Sequence, residues 1–321
     1  MRLPESWSGR LKLPAIAAPM FLVSNPALVM ACCRAGVVGT FPALNQRSTE
    51  GFVEWLEEIG AGLGDSDAPY GVNLVVHRTN PRLQADLEQV VKHKVPLVIT
   101  SLGAAREVVE AVHSYGGLVL HDIITVRHAR KAAEAGVDGL IPVCAGAGGH
   151  AGTHSPFALV PEIREFFDGF IALSGCISSG ASVAAATAMG ADFGYIGTRF
   201  IATDEAAAPP AYKQMLIDSH ASDIVYTDAV SGVNASFLAG SLKQAGIDPE
   251  HDKHEGEVDF GQELDAGSKA WKDIWSAGQG TGQIHDVIPA AALCERLAEE
   301  YRAAVNRLVD GLENKTLFRA A

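Results

Sequence analysis

The sequence predicts an α/β protein built as a closed (β/α)8 barrel of the TIM type, with a C-terminal helical insertion acting as a lid. Three observations carry this. Eight short apolar runs alternate with helical segments between Ala15 and Phe200. The runs are continuously apolar, as parallel strands covered on both faces are. The repeat stops at eight units, the number that closes a barrel. An open doubly wound sheet is the alternative.

The whole chain bounds the rest. With 321 residues, 48% hydrophobic and 20% charged, it can build a large core. Its net charge of −13 argues against a nucleic-acid surface, which needs clustered Lys and Arg. Met1-Arg2-Leu3-Pro4-Glu5 has no apolar signal core, and no run is long enough to span a membrane. The five cysteines are odd in number and lack CxxC spacing, so buried thiols in a reducing cytoplasm are expected and a metal site is not. A homodimer is left open.

Taken in order, Ala15 to Met20 is a buried first strand. Asn25-Pro26 is an N-cap followed by proline, opening a helix that stops at Gly36. Val37–Ala43 is strand two, with a helix from Thr49. Tyr70–Val76 is strand three, followed by a helix over Arg82–His93. Strand four is Leu97–Thr100, with a helix from Glu107. Strand five is Leu118–Leu120, ending at His121-Asp122, and its helix is Val126–Ala135. Strand six is Gly139–Val143, with a helix over Leu159–Phe167. Strand seven is Phe170–Leu173, with Ala181–Met189, and strand eight is Phe193–Ile196. Beyond Phe200, Ala211–Asp218 and Ser236–Ala245 read as helices and Pro249–Asp259 as a solvated loop whose His251 and His254 match no metal spacing. Pro289–Val309 is an amphipathic helix that completes the barrel. Residues 1–204 and 271–321 therefore read as barrel, and 205–270 as a helical insertion over the substrate.

Barrel chemistry sits where strands end. Ser174-Gly175-Cys176-Ile177-Ser178-Ser179-Gly180 joins strand seven to its helix, and Gly197-Thr198 follows strand eight. Glycines let backbone approach an anion, and helix starts offer unpaired amides. Singly these are turn glycines and a cap; together, in these two loops, they point to a phosphate. His150 lies among Gly146, Ala147, Gly148, Gly149, Ala151 and Gly152, a loop with room for a flat ring beside an imidazole that titrates near neutrality. His154 is a competing histidine, expected to order the loop. Asn73 ends a strand with both donor and acceptor. Met20 lies against a ring face or fills core. Asp122 either pairs with His121 or caps the helix at Thr125.

These residues resemble a known family. Ala18-Pro19-Met20, Gly71-Val72-Asn73, Gly148-Gly149-His150-Ala151-Gly152, Ser174-Gly175, Gly197-Thr198-Arg199-Phe200 and Trp275-Ser276-Ala277-Gly278-Gln279 are similar to motifs of the nitronate monooxygenases, FMN-dependent (β/α)8 barrels. The resemblance implies FMN, with its phosphate on Gly175, Cys176, Gly180, Gly197 and Thr198. It implies a ring near Pro19, Met20 and Asn73, with Asp122, Ala147, Gly148 and Ser174 around the cofactor and Gly278 and Gln279 closing over it. His150 matches the histidine that removes the proton beside a nitro group, the partners being a small nitronate or nitroalkane and O2.

The chain departs from the pattern twice. Asp122 stands where some relatives have a lysine that would stabilise negative charge on the flavin. Cys176 stands where glycine is usual. Arg199 is assigned no chemistry. The rival readings are an NAD(P)H-dependent reductase of a quinone or enoyl thioester, a non-redox isomerase or aldolase on the same phosphate seat, and a silent binding barrel.

Overall fold

The predicted apolar runs become the staves of one closed barrel in the computed structural model, which describes residues 2–103, 106–252 and 274–313. The strands are β1 (Ala15–Ala17), β2 (Val38–Pro42), β3 (Tyr70–Val75), β4 (Leu97–Ser101), β5 (Leu118–Ile123), β6 (Gly139–Pro142), β7 (Gly149–His150), β8 (Phe170–Ser174) and β9 (Phe193–Ile196). All but β7 lie in the barrel, in chain order and parallel. Closure comes from β9 pairing back onto β1, with Ile196 opposite Ala17.

The outer helices start where the caps predict. In α1 (Pro26–Arg34) Asn25 Oδ1 accepts from Leu28 N at 2.8 Å, and proline takes the first turn, where no donor is needed. Ser48 caps α2 (Thr49–Gly62). The helices α3 (Leu83–Lys92), α4 (Arg106–His113) and α5 (Val126–Ala135) follow their strands, and Thr125 caps the last of these while Gly136 ends it at φ +90°. Then come α6 (Pro156–Arg164) and α7 (Gly180–Ala188), the latter opened by a reciprocal Ser179–Ser182 capping box. A short helix α8 (Thr198–Ile201) follows β9 and was not expected.

Strand alternation sorts the core into two layers. Val72, Val98, Val119, Leu140 and Ile171 face the helices. Ile16, Leu97, Ile99, Leu120, Ile141, Ala172 and Phe193 fill the barrel. Trp7, 2% exposed, plugs the N-terminal end of the barrel, its ring 5.7 Å from that of Phe193 in an edge contact. No periodicity in the sequence points to that plug, because it is a single buried residue in one short 3-10 turn, Glu5–Trp7.

Beyond α8 the chain makes an excursion that leaves and returns at a bridge between Thr203 and Ile288. The excursion holds α9 (Pro210–Asp218), β10 (Ile224–Thr227), β11 (Ala235–Leu238) and α10 (Ala239–Gln244). Its helical prediction is corrected here: Ser236–Leu238 is strand, paired with β10 on one side and β7 on the other. Partners supplied by the rest of the fold outweigh a short stretch's own preference. The expectation on His254 lies outside the described residues. His251 pairs with Asp248 at 2.8 Å in an exposed turn.

The long helix α11 (Ala290–Glu313) packs against α7 and α1, completing the outer ring. This contact corrects the assignment of Gly180. A Cβ there would lie 2.0 Å from Leu297 O and 2.4 Å from Tyr301 N, and the Gly180 amide donates to Glu300 Oε2 at 2.8 Å. The glycine serves the approach of two helices, and its amide is already taken by a carboxylate. Gly180→Ala must push α11 away and should cost about 1–3 kcal/mol. Gly60→Ala, on the exposed face of α2 with nothing within 4 Å of the added carbon, should instead gain about 0.5–1 kcal/mol. Denaturant unfolding of both variants checks the pair.

Candidate active site

The C-terminal ends of the strands carry a line of polar groups. Leu120 belongs to the barrel interior, so Asp122, two residues on, shares that face and His121 points outward. Asn73 Nδ2 donates to Ser101 Oγ at 2.7 Å and to Ile99 O at 3.2 Å. Ser101 Oγ donates in turn to Asp122 Oδ2 at 2.5 Å. Asp122 therefore takes neither of the two roles the sequence left open, pairing with His121 or capping the helix at Thr125. Thr125 caps α5 itself, and His121 Nδ1 shares a 2.8 Å hydrogen bond with Thr100 Oγ1. Because β5 runs on to Ile123, both residues lie within the strand and not beyond it. Burial raises Asp122 to about 6 and lowers His121 to about 4.

His150 is held by the excursion. It pairs with Ala235 of β11, and Gly149 pairs with Ser236. Tyr226 of β10 donates its hydroxyl to Ala151 O at 2.8 Å. The base of the loop is tied by Gly152 N to Val143 O and by Ala145 N to His154 O, both at 2.9 Å. His154 also shares a 3.1 Å contact with Ile124 O, so it does order the loop. Burial alone lowers His150 to about 4. At neutral pH the ring is an unprotonated imidazole, able to receive a proton.

Three further segments converge on this loop. The return segment lies against it backbone to backbone. A Cβ on Gly148 would fall 2.8 Å from Gly278 N, and one on Gly278 would fall 2.6 Å from Gly146 O. Gln279 N donates to Gly146 O at 2.9 Å, and Gly278 N donates to Thr198 Oγ1 at 2.9 Å. Ala147 is buried, 4% exposed, against the interior core. Cys176 departs from the expected buried thiols: it is exposed, its backbone is left-handed at φ +57°, and its sulfur lies 3.7 Å from Gly146 O. A left-handed backbone is what glycine adopts without cost, which explains why glycine suits that position.

The residues present fit a phosphate-bearing, flat cofactor. Among the described residues, no protein acceptor takes the amides of Cys176, Ile177 or Thr198. Thr198 Oγ1 accepts from Gly278, which leaves its own proton to donate. A Cβ on Gly197 would meet only Ala18 at 3.8 Å and Met20 Sδ at 4.0 Å, ordinary contact distances, so nothing crowds the backbone at the end of β9. Ser174 shares the interior face with Ala172. Asp122 Oδ1 and Ser276 Oγ are buried without a hydrogen-bond partner among the described residues. Gly175 and Cys176 can thus serve an anion, while Gly180 is turned away. Arg199 is 3% exposed and bonds Asp286 Oδ1 at 2.6 Å, a structural role.

A family model described as nitronate monooxygenase matches residues 80–300. The chain belongs to the nitronate monooxygenase family. A nitronate monooxygenase of Paraburkholderia phytofirmans is 26% identical over 92% of this chain and 94% of its own. Nitroalkane oxidase from Streptomyces ansochromogenes superimposes with a TM-score of 0.80 at 26% identity, covering 95% of this chain and 100% of that one. FabK from Thermotoga maritima shares the fold, with a TM-score of 0.76 at 23% identity over 94% and 96% of the two chains. Nitronate monooxygenases are oxidoreductases, and flavin use is typical of the family. Among the described residues no helix is long and apolar enough to cross a membrane.

Sequence reasoning missed Ser101, Tyr226 and the orphaned hydroxyl of Ser276. Ser101 ends an apolar run, and Ile224-Val225-Tyr226-Thr227 is rich in strand formers, so both left a signal. The site also has a pH signature. Both His121 and His150 titrate lower in the folded chain than their ordinary 6.5, so the unfolded chain binds protons that the folded one refuses. Stability is full above pH 6.5 and falls as pH drops through about 4. Asp122 acts oppositely, its contribution complete below 3.8 and lost as pH rises through about 6. His121→Gln should remove up to about 3 kcal/mol of the acid loss between pH 6.5 and 4. Denaturant unfolding at stepped pH measures it.

Proposed function

We propose that the protein is an FMN-dependent nitronate monooxygenase that uses O2 to convert alkyl nitronates into a carbonyl compound and nitrite. The observation that carries this reading is one neutral imidazole, clamped by strand pairing, in a mouth where two neighbouring loops leave amides unused. We assign residues 1–204 and 271–321 to the cofactor-binding barrel and 205–270 to the substrate-covering insertion. The reduced state of all five cysteines suits a cytoplasmic setting.

Bound FMN supplies the redox chemistry, accepting electrons from the organic substrate and passing them to oxygen. The chain's own residues do the rest. Gly175, Cys176, Ile177, Gly197 and Thr198 offer amides and a hydroxyl to the phosphate. Asn73, Met20 and Pro19 would hold the ring, together with Ala147, Gly148, Gly278 and Gln279 of the wall. His150 Nε2 or Nδ1 takes the α-proton of a neutral nitroalkane. An anion in the mouth favours the imidazolium that results, offsetting the burial that lowers its basicity. A nitronate has already lost that proton and asks less of the ring. Exposed Leu22, Leu102 and Ile124, just beyond β1, β4 and β5, give the rim an apolar character suited to an alkyl chain.

Two measurements test this. Anaerobic addition of an alkyl nitronate should bleach the visible flavin spectrum, and NADH should not; bleaching by NADH alone would replace the reading with a reductase. His150→Asn should lower kcat/KM for a neutral nitroalkane by about 10²–10⁴-fold, with less than about tenfold lost on its nitronate. Equal losses on both substrates would remove His150 from the role of carbon-acid base.

A further inference from the structure

Among the described residues, the buried carboxylates Asp86 and Asp192 are well supplied with donors, and the half-buried Asp122 is not. Asp192 accepts from Arg2 N, from Ile171 N and from the Arg164 guanidinium. Asp86 pairs with Arg82 and accepts from Thr49. Asp122 has Ser101 alone, and its Oδ1 is buried with no partner among the described residues. The chain Asn73–Ser101–Asp122 is also directional. Asn73 donates an N–H to Ser101 Oγ, Ser101 donates its single O–H to Asp122 Oδ2, and among the described residues no further donor meets the carboxylate.

We propose that Asp122 is a proton-accepting site coupled to reduction of the cofactor, protonating at Oδ1 when the bound ring becomes anionic. This rests on the reading that FMN binds with its ring beside Asn73. The step balances simply. The oxidised ring gains two electrons and one proton, becoming singly negative. Asp122 gains one proton from solvent, passing from carboxylate to carboxylic acid. Dithionite supplies the two electrons when the protein is titrated.

The surroundings favour this. Burial already raises Asp122 to about 6, against the Ser101 bond that lowers it, so it is charged at neutral pH but close to protonation. A new negative charge nearby raises it further. The described groups around it do not compete. Tyr195, on the interior face of β9, is held neutral by burial and by Asp122 itself. His121 points to the other face, bonded to Thr100 and near His128. His154 meets β5 only beyond its end, at Ile124 O. Leu120, Ile141 and Val143 are apolar. His150, which burial holds down at about 4, is the other titratable group of the mouth, and the experiment separates the two.

The test is the midpoint potential of the FMN-loaded protein from pH 5.5 to 9, read by dithionite titration against reference dyes. Each proton taken up with two electrons contributes about 30 mV per pH unit. The wild type should show a slope of about 60 mV per pH unit above pH 6, easing to about 30 once Asp122 stays ionised in both states. Asp122→Asn should hold about 30 throughout. Ser101→Ala, which removes the one donor, should move the lower break upward by about one pH unit and covers the case in which Asp122→Asn folds poorly. His150→Asn should keep the wild-type break. Identical slopes in the wild type and Asp122→Asn, with flavin bound and bleached by nitronate, would overturn this inference alone. A wild type that retains no FMN would overturn the functional reading and this inference together.

Discussion

The mouth of the barrel depends on one backbone contact, that of Gly146 to Gly148 with Ala277 and Gly278. Neither side has room for a Cβ. The return segment can therefore lie flat on the histidine loop and reach past it, where Gly278 N meets Thr198 and Gln279 N meets Gly146. Three loops that are distant in sequence become one wall. Trp275, stacked on Tyr212 at 5.0 Å and 9°, anchors the approach from the excursion side. A methyl group at either glycine would separate the wall from the loop that carries His150.

The same arrangement makes the excursion part of the site and more than a cover. His150 has its strand partner in β11 and its loop is tied through Tyr226 in β10. The imidazole is thus positioned by residues that belong to no βα unit. A catalytic group on an untethered glycine-rich loop would sample many orientations; pairing with a hairpin removes most of them at the cost of making the site depend on the hairpin's own packing.

Charge is distributed to match. The guanidiniums of Arg82, Arg164 and Arg199 are paired with Asp86, Asp192 and Asp286 in structural roles. The strand ends hold a neutral imidazole and a carboxylate with a single donor. The overall charge is −13. Amides and hydroxyls at strand ends have dipoles that act at short range and would need no counter-ion to meet an anion.

The sequence by itself determined the barrel, the positions of its eight strands, the caps at Asn25 and Ser179, and the glycine-rich loop around His150. These follow from local causes: apolar runs of strand length, side chains that satisfy helix termini, and glycines whose neighbours lack bulk. Only the tertiary structure decided that Gly180 serves α11, that Asp122 answers to Ser101, that Trp7 plugs the barrel, and that Ser236–Leu238 is strand. Each of those depends on a partner far along the chain, and a residue's own type does not say which partner the fold will bring to it.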